Sequence, residues 1–152
     1  MSPRSIRPRK ISDPPIVSGM RPYGSKLPPG KPPAVFLALE EYEAMRLCDH
    51  EGFNHNEAAH SMNVSRPTFT RIYSSARKKI ASALVEGQQL VIEGGKIYFD
   101  NDWYNCLNCS CYFNHPEKHL EVSKCALCGS NEIIRCESYP EIIIQNESSS
   151  NK

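Results

Sequence analysis

"VSRPTFTRIYSSARKK", Val64 to Lys79, holds five Arg or Lys and no Asp or Glu. Phe69, Ile72, Tyr73, Ala76, Ile80, Ala83 and Leu84 recur at intervals of three and four, so a helix from here buries one face. Arg71, Ser74, Ser75 and Lys78 lie opposite, with Thr68, Thr70, Arg77 and Lys79 on the flanks. Pro67 belongs to the first turn, where its missing N–H costs nothing. Ser65 is the better capping side chain, and Arg66 takes that place if Pro67 is the first helical residue. Gly87 supplies the stop.

Working outward, "HNEAAHSMNV" (residues 55–64) reads as a shorter helix, roughly Asn56 to Met62, capped by Asn54 or Asn56. Asn63 follows where the turn needs a left-handed residue, which Asn tolerates. Before it, "AVFLALEEYEAMRLCDHEG" (34–52) becomes helical near Leu39 or Glu40. Glu40, Glu41 and Glu43 favour its start, and Gly52 ends it. Two helices joined by a tight turn, the second with a cationic face, form the helix-turn-helix pattern. Small Ala59 permits close approach, and Ala58, Met62, Val64, Phe69 and Ile72 supply the apolar contacts. Such a helix presents short polar and guanidinium groups to base edges while its back is held by a core. Arg66, Thr68, Thr70 and Arg71 are the candidates for base reading. Ser65, Ser74, Ser75, Arg77 and Lys78 are the candidates for phosphate contact.

These stretches resemble a family of small, functionally uncharacterised prokaryotic proteins held to bind DNA through a helix-turn-helix like region 4 of sigma-70 factors. The resemblance runs from about Leu37 to Gly95 and rests on "EEYEAMRL", "EGFNHNEAAHSMNVSRPTF", "RIYSSARKKIASALVEG" and "IEGG". "RPRK" (7–10) fits the family's basic, proline-rich start. The chain departs from the pattern at Pro67 and Thr70, and "HNEAA" is more neutral than the family's acidic helix start. What the resemblance implies is a DNA-binding fold.

Charge is uneven along the chain. Net charge is only +1, yet residues 1–33 carry seven bases and one acid, 34–89 six bases and seven acids, and 90–152 five bases and nine acids. Nine of the twelve prolines fall in 1–33. That segment reads as a basic, extended arm, with Arg7, Arg9 and Lys10 available to the DNA backbone or minor groove; a solubilising tail is the bland alternative. "LVIEGGKIYF" (90–99) reads as a hairpin turning at Gly94-Gly95, with Glu93 opposite Lys96 and Ile92 opposite Ile97.

Beyond it, Cys106-x-x-Cys109 and Cys125-x-x-Cys128 are fifteen residues apart, the spacing of a four-thiolate ribbon or knuckle. Zn²⁺ is the default ion for four thiolates, and an iron–sulfur cluster uses the same ligands. Cys111 and Cys136 are spare, and Cys111 could replace Cys109. His115 and His119 are four apart but lie too close behind Cys109 for a two-cysteine, two-histidine finger. His115-Pro116-Glu117 before Cys125-x-x-Cys128 is a poor deaminase signature, because Lys124 stands in the proline's place and the gap is short. No nucleophile elbow or phosphate loop is present.

The expected architecture is mainly α. A basic arm (1–33) leads into a trihelical helix-turn-helix domain (34–88) and a β-hairpin (89–100). A small zinc-ribbon-like α+β module (101–144) and a disordered tail (145–152) follow. No apolar run reaches the ~20 residues of a membrane span and no signal peptide is evident, so a cytoplasmic protein with reduced cysteines is expected. The expected function is a non-enzymatic transcriptional regulator of double-stranded DNA, acting as a homodimer where half-sites are paired. A metal- or redox-responsive regulator and a sigma-like adaptor contacting RNA polymerase are the alternatives.

Overall fold

The computed structural model describes residues 7–24, 26 and 33–137; the tail expected over 145–152 lies outside them. Two compact units divide the chain. One is Arg9–Ile97, and the other takes in the described residues 7–8 and 98–137.

In the first unit, α1 (Leu39–Met45) runs on through one wider π-type turn, Arg46–His50. Glu41 reaches back to accept the Ala38 amide at 2.9 Å, one half of a capping box. Next, α2 (His55–Ser61) is capped by Asn54, whose side chain accepts the Glu57 amide at 2.9 Å. Asn63 turns the chain at φ 55°. Ser65 caps α3 (Arg66–Glu86) by accepting the Thr68 amide at 3.4 Å, and Gly87 ends it at φ 65°. Pro67 therefore stands second in the helix, where its lack of an N–H is still harmless. Ala44, Leu47, Ala58, Ala59, Met62, Phe69 and Ile72 form one buried cluster; of the expected apolar contacts, Val64 is only partly buried against it.

The helices share this unit with a sheet. β1 (Arg9–Ile11) and β2 (Gly19–Met20) precede β3 (Ala34–Leu37), and β4 (Gln89–Ile92) follows α3. β4 lies between its neighbours, antiparallel to β2 with Met20 opposite Leu90, and parallel to β3 with Phe36 opposite Val91. Both edges of β4 are thus occupied, so the hairpin expected over 89–100 does not form. Gly94 and Gly95, at φ 79° and 95°, direct the chain differently: the Gly94 carbonyl accepts the Leu39 amide at the start of α1. Gly19 has to be glycine, since a Cβ there would lie 2.1 Å from the Leu90 carbonyl oxygen.

Several residues read as part of an extended arm belong to this unit. Ile11 is fully buried, and the Lys10 amide donates to the Met62 carbonyl at 3.0 Å. The buried Glu43 carboxylate holds Arg46 at 2.7 and 3.0 Å and the Ser12 amide at 3.3 Å. Leu84, expected on the apolar face, is 82% exposed. A 21-residue helix is roughly 30 Å long, three times either seven-residue neighbour, so its last turns outrun them.

In the second unit, β6 (Trp103–Cys106) pairs with both β7 (Tyr112–Asn114) and β8 (Ile133–Arg135), antiparallel in each case. Strand β5 (Ile97–Phe99) leads into it, and the Asn114 side chain clamps both backbone groups of Phe99. No helix occurs here among the described residues. Among the described residues three short sheets accompany three helices, so the fold is not mainly α. The short strands carried too few residues for an alternating pattern to show.

Candidate DNA-reading edge and metal centre

The start of α3 is exposed where the motif requires it. Arg66, Thr70, Arg71, Ser74, Arg77 and Lys78 are exposed and Thr68 is half-buried, while Phe69, Ile72 and Ala76 behind them are buried. Hydrogen bonding divides the candidates further. Among the described residues, Arg66, Arg71, Ser74 and Lys78 make no ion pair or side-chain hydrogen bond. Thr68 is engaged locally, its hydroxyl accepting from Ser65 at 2.9 Å. Arg77 lies over the Tyr73 ring, 5.5 Å from its centroid.

Ser75 faces inward chemically: it donates its hydroxyl to Glu41 at 2.6 Å. Lys79 donates to the other Glu41 oxygen, also at 2.6 Å. Burial pushes the Glu41 carboxyl up, but Lys79, Ser75 and the Ala38 amide together hold it below its ordinary value. Arg9 is engaged as well. It pairs with Glu40 at 3.2 Å, each side chain 15% exposed. Burial raises the Glu40 carboxyl, and Arg9 offsets only part of that. Lys10 and Arg7 are half-buried.

His55 escaped the sequence reading. Its Nδ1 lies 3.1 Å from the Thr70 hydroxyl, and its ring meets Phe69 and Tyr73 edge-on at 5.4 and 5.3 Å. Tyr73 in turn donates to Asp49 at 2.8 Å. The only signal was its place in the first turn of α2, facing the next helix of the motif.

In the second unit the four cysteines converge, with all their sulfurs within 4.8 Å of one another. They stand on two knuckles built alike. In the first, Ser110 N–H donates to the Cys106 carbonyl at 2.8 Å, Cys106 N–H to the Cys111 carbonyl at 2.9 Å, and Cys109 N–H to the Cys106 sulfur at 3.4 Å. In the second, Gly129 N–H donates to the Cys125 carbonyl at 3.0 Å, Cys125 N–H to the Ser130 carbonyl at 2.8 Å, and Cys128 N–H to the Cys125 sulfur at 3.5 Å. Ser110 and Gly129 both adopt positive φ, 62° and 75°. Each turn therefore aims two sulfurs at one point and backs one of them with amide donors.

The Cys128 amide first, and the Leu127 amide after it, hold the Cys125 thiol down at about 6 against burial. At Cys106 the Cys109 amide pulls the same way, but burial and the neighbouring Cys128 and Cys109 thiols leave it at about 11. The Ser130 amide and the Asn108 side chain likewise hold the Cys128 thiol below its ordinary value, and negative charge beyond Cys125 and Cys128 needs a cation. Four thiol ligands in a closed cluster fit a tetrahedral metal ion such as Zn²⁺. Cys111 is a fifth thiol at the cluster, 3.3 Å from Cys125, nearer than Cys109 at 3.7 Å. Cys136 and the residues His115 and His119 are not among the convergent ligands. Among the described residues no helix is long and apolar enough to cross a membrane.

A family model described as "Protein of unknown function DUF134" matches residues 1–100. A "UPF0251 protein" of Chloroherpeton thalassium is 39% identical over 135 residues, covering 86% of this chain and 85% of the relative. One from Caldicellulosiruptor bescii is 40% identical over 132 residues, 87% of each chain. One from Methanothermobacter thermautotrophicus is 40% identical over 131 residues, 86% of this chain and 66% of the relative. No solved structure gives a significant match.

Proposed function

The chain belongs to the family of unknown function DUF134, together with the UPF0251 proteins, and from that premise we propose that it is a sequence-specific DNA-binding transcriptional regulator. The observation that carries this reading is the chemistry of α3. Among the described residues, Arg66, Arg71, Ser74 and Lys78 stand exposed without ion-pair or side-chain hydrogen-bond partners, on a helix whose opposite face is buried in a three-helix core. Arg71 is suited to a bidentate contact with guanine, and Ser74 and Lys78 to phosphate. The cysteine cluster holds Zn²⁺ as a structural centre. Its surroundings are acidic in net charge, which suits a stabilising role better than a grip on phosphate. The function is binding, with no chemical step.

Selection of bound duplexes from a random pool, with affinity measured across salt, tests this directly. Phosphate contacts require log affinity to fall steeply with log salt. A flat response, or no duplex bound, refutes the reading and favours an adaptor on RNA polymerase. The proximity of Cys111 to Cys125 favours a second reading, in which metal or oxidation state governs DNA affinity. Chelation that leaves DNA affinity unchanged while the first unit stays folded rejects it.

A further inference from the structure

At the C-terminal end of α3 the first unit carries an open groove of about 650 Å³, whose walls include Met20, Tyr23, Ile80, Leu84, Val85 and Leu90. Four of these are exposed to a degree unusual for their type: Tyr23 99%, Val85 83%, Leu84 82% and Met20 67%. Isolated exposed apolar side chains are ordinary, whereas four lining one groove mark an interaction surface. Charge at the groove identifies the partner. Arg21 and Lys26 lie on one part of its lining and Glu86 on another, and none of them forms an ion pair among the described residues. A purely acidic or purely basic partner would match one sign and oppose the other. A lining that joins apolar side chains with both signs of charge complements its own two-fold copy.

We infer that this groove is the two-fold interface between copies of the chain, with Arg21 or Lys26 of one copy meeting Glu86 of the other. Leu84 and Val85 then cover each other's apolar surface at the centre. The groove takes in the last turns of α3, whereas Arg66–Arg71 open that helix. Pairing there leaves the cationic edge free, roughly 20–30 Å away along the axis. The interface itself does not depend on the DNA reading.

Sedimentation equilibrium of the full chain under reducing conditions tests it, on the wild type, Leu84→Glu, Glu86→Arg, and Glu86→Arg combined with Arg21→Glu and Lys26→Glu. The expected wild-type mass is that of a dimer across micromolar concentrations. Leu84→Glu and Glu86→Arg should sediment as monomers with unchanged helical circular dichroism, and the triple variant should regain the dimer. These side chains are exposed, so their substitution leaves the core intact. A monomeric wild type, with or without duplex DNA, overturns the proposal. A Leu84→Glu chain as dimeric as wild type overturns it equally, since the contact would lie elsewhere. Loss of the dimer with salt-dependent duplex binding retained would leave the DNA reading standing, so the two failures are distinguishable.

Discussion

Lys79 Nζ lies 2.6 Å from Glu41 Oε1, with Ser75 donating to the second oxygen of the same carboxylate at 2.6 Å. This ties the first turn of α1 to the middle of α3 and so orients the cationic helix on its core. Because the folded Glu41 carboxyl titrates below its ordinary 4.5, its contribution to stability is complete above that value. It is lost as pH falls through the lower, folded value. Glu41→Gln should therefore destabilise the first unit near neutrality by about 1–2 kcal/mol, as expected when a charged hydrogen-bond partner is removed. The variant and wild-type melting temperatures should converge in acid. A difference that stays constant from pH 7 to strong acid would show that the carboxylate's charge contributes nothing.

The contact between His55 and Thr70 gives a separate expectation. His55 restrains a hydroxyl on the proposed reading edge. His55→Ala should alter base preference at the position nearest Thr70 and leave the salt slope unchanged. Some stability is lost with the two ring contacts, about 0.5–1.5 kcal/mol for each. Duplex selection with both proteins, beside thermal melts, separates these effects. A changed melting temperature with the same selected sequence would make His55 a packing residue only.

What the sequence made legible was what neighbouring residues decide. Asn63, Ser65 and Gly87 act on their own turns, so α3, its boundaries and the tight turn before it could be read locally. The two cysteine pairs were equally plain, because each knuckle closes within six residues. Long-range partners were hidden. Gly94-Gly95 is a sound hairpin signal, but residues 19–20 and 34–37 had already taken both edges of β4. The Ser75 hydroxyl donates to Glu41, 34 positions earlier, a partner that no adjacent residue reveals. Ile11 looked like part of a proline-rich arm, since nothing adjacent reveals a core assembled from later segments.

Acid and chelation should both strip the cysteine centre. A folded thiol depressed to about 6 at Cys125 supplies a thiolate above that pH, and protonation withdraws it as pH falls through about 6. Metal measured on the full chain should therefore be retained at neutral pH and released on acidification well below that value, since a bound cation holds the thiolates against protonation. Cys125→Ser and Cys128→Ser should lose the metal, while Cys48→Ser, in the other unit, should keep it. Stoichiometric metal in Cys125→Ser would mean that Cys111, 3.3 Å away in the parent chain, completes the ligand set instead.

The free cations of α3 should divide by what they touch. Arg71 lies on the proposed reading edge and Lys78 two turns further along, on the segment proposed to meet phosphate. Arg71→Ala should cost about 1–3 kcal/mol on the preferred duplex and little on others, flattening the selected sequence at one position. Lys78→Ala should weaken every duplex alike and reduce the salt slope by about 1, the signature of one lost phosphate contact. Arg9→Ala tests the opposite assignment. Its guanidinium faces Glu40, so removing it should lower the melting temperature and leave the salt slope where it was. Affinities of the three variants for preferred and scrambled duplexes, each across a salt series, decide the matter. If Arg71→Ala and Lys78→Ala change both duplexes by the same factor, α3 reads no bases. If Arg9→Ala reduces the salt slope, the ion pair with Glu40 gives way to DNA.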